Sequence, residues 1–135
     1  MKSLNQLIIT LMVCLFSIQA WAQSGKLFNT DNQLSSNLAT QVFQDKSGFI
    51  WIATRNGLNT YDGYHITVIK KDMSNFLGLK SNYINCIAQD DKEHILLGTN
   101  NSLLEFTGSE FLKIPMLDSK GEELATYVKQ VYPLK

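Results

Sequence analysis

One segment of this chain occurs twice, and the repeat limits the folds that the chain can adopt. Residues 36–69 align with residues 81–114 at a constant offset of 45 and without a gap. The identical positions, ten of 34, are Ser36/Ser81, Asn37/Asn82, Gln44/Gln89, Asp45/Asp90, Ile50/Ile95, Thr54/Thr99, Asn56/Asn101, Leu58/Leu103, Gly63/Gly108 and Ile69/Ile114. A period of this size indicates that one supersecondary unit is repeated along the chain.

Short apolar runs between turn residues predict that each repeat is a set of β-strands. The predicted strands cover residues 39–44, 49–54, 58–61 and 64–69 in the first copy and 83–89, 94–99, 103–106 and 110–114 in the second. Four short strands in about 45 residues are typical of one blade of a β-propeller. We therefore predict an all-β fold, an incomplete β-propeller of two four-stranded blades plus the first strand of a third, after a signal peptide.

Turn residues separate the predicted strands. Asp45 begins the first turn and Gly48 supplies a positive φ, whereas the matching turn of the second copy lacks its glycine. Asn56-Gly57 and Asp62-Gly63 are dipeptides typical of tight two-residue hairpins. The sequence therefore predicts up-and-down connections between neighbouring strands within each blade.

The first 22 residues have the pattern of a secretory signal peptide. Lys2 is followed by an apolar run from Leu7 to Ile18 and then by a small-x-small cleavage site, Ala20-Trp21-Ala22. The alternative is a membrane anchor, but the run is shorter than the roughly 20 residues that span a bilayer. We therefore expect a cleavable signal and a periplasmic chain.

The repeats and the signal divide the chain into successive segments. The predicted segments are the signal peptide 1–22, an extended leading segment 23–35, blade 1 at 36–70, a linker 71–80, blade 2 at 81–114, a loop 115–125 and the start of blade 3 at 126–135. A short strand is predicted at 26–29. In a closed ring we expect the leading segment to pair with the last blade, which would cover an open strand edge.

Charge and cysteine content exclude several classes of partner and linkage. Loss of Lys2 leaves 11 basic and 12 acidic residues, a formal charge of −1. This balance argues against a nucleic-acid partner and against a basic membrane-binding patch. Cleavage of the signal peptide removes Cys14, so Cys86 has no second cysteine with which to form an internal disulfide. We expect Cys86 to be a buried neutral thiol.

The first repeat closely resembles the two-component regulator propeller repeat, whose core has the form D-x-x-G-x-I/L-W-I-G/A-T-x-x-G-L-x-x-Y/F-D/N-G. The matching residues are Asp45, Gly48, Ile50, Trp51, Ile52, Ala53, Thr54, Gly57, Leu58, Tyr61, Asp62 and Gly63. The second repeat departs from the pattern at Leu96, Ser102 and Thr107. The signal peptide followed by such blades is similar to the N-terminal periplasmic sensor region of a hybrid two-component sensor histidine kinase.

The resemblance implies a function for the whole receptor. It implies two consecutive periplasmic propellers, a Y-shaped β-sandwich domain, one transmembrane helix and cytoplasmic histidine kinase, receiver and DNA-binding modules, in a dimeric receptor. It also implies a glycan-fragment ligand and control of glycan-utilisation genes. None of the later modules is expected within these 135 residues, so the implied partners are the remaining blades and an oligosaccharide, with membrane attachment only through the downstream part.

The chain is therefore interpreted as the N-terminal fragment of a ligand-sensing propeller. We expect no catalytic activity, cofactor or metal, because the sequence contains no kinase residues, HExxH, CxxC, P-loop or GxSxG motif. Two alternatives stay open: a fragment of an exported carbohydrate-active propeller enzyme, and a propeller scaffold that binds another protein.

Most of the polar motif residues are interpreted as structural. Asp45 and Asp90 occupy one column of the repeat, and a recurring group is typical of a turn rather than of catalysis. Trp51 is interpreted as apolar filler between blades, with stacking on a sugar ring as the alternative. The structural motif set is Asp45, Gly48, Trp51, Thr54, Gly57, Tyr61, Asp62, Gly63, Asp90, Thr99 and Gly108.

The candidate ligand-binding residues follow the second strand of each repeat. They are Arg55, Asn56, Asn100 and Asn101. Polar loop residues on a rigid scaffold can line a ligand pocket, and ordinary turn chemistry is the alternative. We further expect two blades without neighbours to expose the faces that carry Phe49, Trp51, His94 and Leu96.

Overall fold

A computed structural model describes residue 6, residues 25–71 and residues 79–132. The predicted signal peptide, apart from residue 6, and most of the predicted linker 71–80 lie outside the described residues. Within the described part of the chain, no helix has the length and apolar character needed to cross a membrane.

The described residues form eight strands in two separate antiparallel sheets. The strands are β1 (Ala39–Gln44), β2 (Ile50–Thr54), β3 (Gly57–Tyr61), β4 (Ile66–Ile69), β5 (Ile84–Gln89), β6 (Ile95–Thr99), β7 (Leu103–Phe106) and β8 (Phe111–Ile114). Their order is β1-β2-β3-β4 in one sheet and β5-β6-β7-β8 in the other. The predicted all-β fold with two four-stranded blades is confirmed, and the sheets are called blade 1 and blade 2 below.

The strand register repeats with the same offset as the sequence. Gln41 lies opposite Ala53 in blade 1, and Cys86 lies opposite Gly98 in blade 2. An irregularity interrupts the first strand just before each of these residues. The two blades are therefore one structural unit used twice, including its bulge.

Two predicted strands are absent from the described residues. Residues 26–29 are extended without strand pairing, and a 3-10 helix at Thr30–Asn32 follows them. Residues 126–132 form no strand either, because they have no second strand of their own to form a hairpin with. Val128 nevertheless is buried, and its backbone N–H donates to Thr99 O at 2.9 Å.

The two predicted tight turns also differ from the structure. The Asp62-Gly63 turn is a four-residue loop between Tyr61 and Ile66, so β4 begins two residues later than predicted. Asp62 Oδ1 accepts the backbone N–H groups of His65 at 2.7 Å and Tyr64 at 2.8 Å, which lower the pKa of Asp62. A carboxylate that binds its own loop in this way favours the longer connection.

The other tight turn is shifted by one residue. Thr54 pairs with Gly57, so the two loop residues are Arg55 and Asn56, and Gly57 already belongs to β3. Gly57 has a φ of 137°, whereas Asn56 does not have a positive φ. The turn therefore lacks the two positive φ values of the predicted hairpin type.

The apolar core lies between the two blades. Trp51, 6% exposed, packs with its ring edge-on to Phe106, with 5.6 Å between the ring centroids. The other buried members of the core cluster are Ala53, Leu58, Ile69, Leu79, Ile84, Ile87, Ile95, Leu97, Leu104 and Phe111. Trp51 thus fills the space between the blades, as its interpretation as apolar filler predicts. The separate expectation that two blades leave its face exposed is wrong for Trp51, because blade 2 covers that face, while Phe49 is 44% exposed.

Polar side chains link the first strands of the two blades. The Gln41 amide accepts from Ile87 N at 2.8 Å and donates to Ile87 O at 3.0 Å. Thr40 Oγ1 donates to Ile84 O at 2.6 Å. Gln41 thus satisfies backbone groups of β5 as a neighbouring strand would, which fixes the position of one blade against the other.

The leading segment packs on the face of blade 1 that is turned away from blade 2. Ser35 N donates to Asn59 Oδ1 at 2.8 Å, and the Ser35 and Thr54 hydroxyls are 2.8 Å apart in a buried network. Phe28 packs edge-on against Tyr61, with 4.9 Å between the ring centroids. These contacts are with blade 1, and the predicted pairing with a last blade stays a prediction.

Cys86 lies on the opposite side of the molecule, beneath Val128. A Cβ added at Gly98 would come closer than 3.0 Å to Cys86 Sγ and to Val128 Cγ1, so a larger residue there would displace these side chains. The corresponding residue of blade 1 is Ala53. Cys86 itself is 5% exposed, and burial raises the pKa of its thiol.

The raised pKa predicts alkaline sensitivity and slow thiol reaction. An unfolded thiol ionises near pH 8.5, so the stabilising contribution is complete below that pH and is lost as the pH rises through the folded pKa. We expect slow reaction of Cys86 with a disulfide reagent at pH 8 and fast reaction in urea. We also expect a lower urea midpoint above about pH 9. Cys86→Ala is the control, and an equal alkaline loss in that variant would contradict the assignment.

Candidate functional site

The four predicted ligand-binding residues lie in the β2–β3 and β6–β7 loops. The Arg55 guanidinium lies over the Tyr83 ring, 5.6 Å from its centroid. Asn56 N donates to Thr54 Oγ1 at 3.1 Å, and its side-chain amide donates to Ser35 O at 3.4 Å. The bond to Thr54 is ordinary turn chemistry, whereas the contacts with Ser35 and Tyr83 join the loop to distant parts of the chain. Ligand binding by these residues stays a prediction.

The loop of blade 2 has a similar organisation. Asn101 N donates to Thr99 Oγ1 at 3.3 Å, as Asn56 N does to Thr54 Oγ1, and Asn100 is exposed. The two recurring threonines have one role: Thr54 Oγ1 donates to Gly57 O at 2.8 Å, and Thr99 Oγ1 donates to Ser102 O at 2.9 Å. Each hydroxyl thereby closes the turn at the end of a second strand.

A cleft lies at the opposite end of the blades. It has a volume of about 580 Å³ and opens between the β1–β2 turn of blade 1 and the β5–β6 turn of blade 2. Its lining includes Phe49, Trp51, Gln89, Lys92, Glu93 and His94. None of Arg55, Asn56, Asn100 and Asn101 lines it. The structure therefore separates the predicted candidates from this cleft.

Asp45 organises the turn that forms one wall of this cleft. Its Oδ1 accepts from Phe49 N at 3.0 Å, and its Oδ2 accepts from Trp51 Nε1 at 2.7 Å. Gly48, with a φ of 91°, gives the turn its left-handed residue. Both carboxylate oxygens of Asp45 are thus engaged in holding the turn and the interblade tryptophan.

Asp90 has the same position in blade 2 but different neighbours. Its Oδ1 accepts from His94 N at 2.8 Å, and Glu93 takes the positive φ, 71°, that Gly48 supplies in blade 1. Leu96 replaces the tryptophan, so no indole N–H reaches the second oxygen of Asp90.

A histidine and a second carboxylate fill this space instead. His94 Nδ1 lies 3.4 Å from Asp90 Oδ2 and 2.6 Å from Glu105 Oε1. The corresponding residues of blade 1 are Phe49 and Thr60. Sequence reasoning missed Glu105. A comparison of the aligned positions of the two repeats, searching for polar residues that occur in only one of them, could have identified Glu105.

Comparisons with known proteins agree with this architecture. Residues 33–56 and 78–101 match the family model described as the two component regulator propeller. The fold is similar to a crystal structure of the extracellular domain assigned to the hybrid two-component system BT3049 from B. thetaiotaomicron, with a TM-score of 0.58 and 22% sequence identity. The similarity covers 71% of this chain and 15% of that chain. The search of curated proteins gives no significant match.

The matched segments coincide with the geometry described above. Each begins before the first strand of a blade and ends in the loop after its second strand, so each contains the turn organised by Asp45 or Asp90. Two segments of the chain thus match the two-component regulator propeller repeat, and each contains the first two strands of one four-stranded blade.

Proposed function

We propose that this chain is the N-terminal, ligand-sensing part of a periplasmic propeller in a hybrid two-component receptor. The observation that carries the proposal is the pair of adjoining two-component regulator propeller blades, in a fold similar to the extracellular domain of such a system. The proposed ligands are glycan fragments, and the proposed role is binding without catalysis.

The chemistry of the recurring polar groups supports a binding role. Asp45 and Asp90 each hold a turn through backbone N–H groups, which accounts for their recurrence without an acid–base function. A glycosidase requires a pair of carboxyl groups about 5–10 Å apart across the scissile bond. Two carboxylates that recur by repetition and bind their own turns do not supply such a pair.

The interblade cleft is the proposed site of ligand contact within this part of the ring. Phe49 is 44% exposed at the cleft and can present a ring face to a sugar. Gln89, Lys92 and Glu93 add hydrogen-bonding groups at the same rim. Trp51 is too deeply buried, at 6% exposed, to stack on a ligand in the same way.

Reading the gene beyond codon 135 tests the receptor assignment. We expect an in-frame continuation into further repeats of about 45 residues, followed by a transmembrane helix and a histidine kinase. A reading frame that continues into an exported enzyme domain, or that lacks a kinase, would contradict the proposal.

Binding measurements on the full periplasmic region test the ligand class. We expect a glycan fragment to raise its melting temperature, and Phe49→Ala to weaken binding by about tenfold, the effect of losing roughly 1.4 kcal/mol of contact energy. Tyr64→Ala is the matched control, because Tyr64 is an exposed aromatic of blade 1 outside the cleft. Equal effects of the two substitutions would argue against the cleft as the binding site.

A further inference from the structure

We propose that Asp90, His94 and Glu105 form a binding site for a divalent transition-metal cation, with Zn²⁺ as the best match. Each residue offers one ligand atom, and the three atoms lie within 4.8 Å of one another. All three side chains are partly buried. The inference is independent of the sensory role, because it rests only on the geometry of blade 2.

The imidazole nitrogen at the centre of this group is buried and makes no hydrogen bond within the described part of the chain. His94 Nδ1 is closed off from solvent and makes no hydrogen bond of acceptable geometry among the described residues. Glu105 Oε1 is only 2.6 Å away, but the contact lacks the alignment that an N–H donor needs. A buried nitrogen that faces two carboxylate oxygens without an aligned hydrogen bond is suited to share a cation with them.

One of the three separations between the ligand atoms already fits tetrahedral coordination, and a second can reach it. Two ligands on a tetrahedral Zn²⁺ lie about 3.3 Å apart when the metal–ligand bonds are about 2.0–2.1 Å. His94 Nδ1 and Asp90 Oδ2 are 3.4 Å apart and match this separation. The Glu105 contact must open by about 0.7 Å to reach it, and the partly exposed glutamate side chain has the freedom to do so.

Comparison with blade 1 shows that the group is specific to blade 2. The columns of His94, Leu96 and Glu105 are occupied in blade 1 by Phe49, Trp51 and Thr60. There the second oxygen of Asp45 accepts the indole N–H at 2.7 Å and is fully used. Loss of the tryptophan frees the corresponding oxygen of Asp90, and the two other replacements bring a nitrogen and a carboxylate to it.

A hydrogen-bonded turn and a strand position the three ligands. Asp90 Oδ1 is fixed by His94 N, which aims Oδ2 toward the imidazole. Glu105 lies in β7 between Leu96 of β6 and Leu112 of β8. Because side chains alternate along a strand, Glu105 is on the face opposite Phe106, which contacts blade 1 through Trp51. The proposed site therefore lies on the face of blade 2 turned away from blade 1.

The donor set favours zinc over alkaline-earth cations. Ca²⁺ requires six to eight oxygen ligands and Mg²⁺ prefers octahedral oxygen coordination. Imidazole nitrogen and carboxylate oxygen are both ordinary ligands of Zn²⁺, and three protein ligands leave a fourth position for water or another ligand. Nothing in the proposal requires the cation to be catalytic.

Equilibrium dialysis of the untagged chain against Zn²⁺ tests the site directly. We expect one bound Zn²⁺ per chain, and a loss of affinity of at least about tenfold in Glu105→Gln, because a carboxylate ligand is removed with its shape retained. His94→Phe and Glu105→Thr introduce the residues of blade 1 and should have the same effect. Ca²⁺ at the same concentration should not compete.

His65→Phe is the matched control. The chain has two histidines, and His65 Nδ1 also faces an aspartate, Asp62 Oδ2, at 3.7 Å, but its side chain is 85% exposed. We expect full zinc binding in this variant and a zinc-dependent shift of the His94 ring resonances in the NMR spectrum of the wild type. The proposal is overturned if the wild type binds no stoichiometric Zn²⁺, or if Glu105→Gln binds it as tightly as the wild type.

Discussion

Replacing Trp51 by alanine is expected to lower the free energy of unfolding by about 3–5 kcal/mol. The side chain is 6% exposed, packs against Phe106 of blade 2 and donates its indole N–H to Asp45 at 2.7 Å. Its loss leaves a cavity between the blades and removes the hydrogen bond to Oδ2 of Asp45, whose Oδ1 holds the β1–β2 turn. Natural domains have only about 5–15 kcal/mol of stability in all, so we expect much of the variant to be unfolded at 37 °C.

Urea unfolding followed by circular dichroism measures this effect. Tyr64→Ala is the matched control, because it removes an aromatic of blade 1 that is 83% exposed, and it should change stability by less than about 0.5 kcal/mol. Trp51→Phe should lie between the two, since it retains a ring but loses the hydrogen bond to Asp45. Similar midpoints for Trp51→Ala and Tyr64→Ala would show that the interblade contact does not stabilise the fold.

The strands were predictable because the blade pattern is local and occurs twice. β1 and β7 have the predicted bounds, and β2, β5, β6 and β8 begin one residue later than predicted. The first residue of a predicted apolar run, such as Phe49 or His94, instead donates its backbone N–H to the turn aspartate. At these residues a hydrogen bond to the aspartate side chain replaces a hydrogen bond between strands, and this competition decides where the strand begins.

The packing of the two blades against each other was harder to predict from the sequence than the strands. Burial of Trp51 depends on a neighbouring sheet, and the pattern of one repeat does not show which of its faces that sheet covers. The failed strand at 126–132 has the same cause, because Val128 is apolar and buried but has no hairpin partner among the described residues. Contacts between elements therefore decide the burial of Trp51, and the lack of a pairing strand overrides local strand propensity at 126–132.

The residues of the candidate site were even harder to predict from the sequence than the packing of the blades. The position after a strand predicts four candidates, Arg55, Asn56, Asn100 and Asn101. The structure places them away from the interblade cleft. The group at Asp90 combines residues from a turn and from β7, which are 15 positions apart in the sequence. Only the register of β6 against β7 brings Glu105 near His94, so spacing along the chain does not reveal it.

A polypeptide limited to these two blades is expected to self-associate at micromolar concentration. The face of blade 2 turned away from blade 1 carries Leu96 and Leu103, which are partly exposed, and Leu112, which is 44% exposed. Val128 covers this face only near Cys86. Closed propellers bury such faces against the next blade, in rings of about 4–8 blades. A second copy of the chain can cover the same apolar area.

Light scattering across a dilution series measures this association. Leu112→Lys should weaken it by about 10–100-fold, the effect of losing roughly 1.5–3 kcal/mol when a leucine is no longer buried. Tyr64→Lys is the control, since it introduces the same charge at a more exposed residue in a blade 1 loop. A sharp monomeric peak at every concentration, with cooperative melting, would contradict the prediction. In that case the two blades and the segment at Val128 would already cover enough apolar surface to be stable without a third blade.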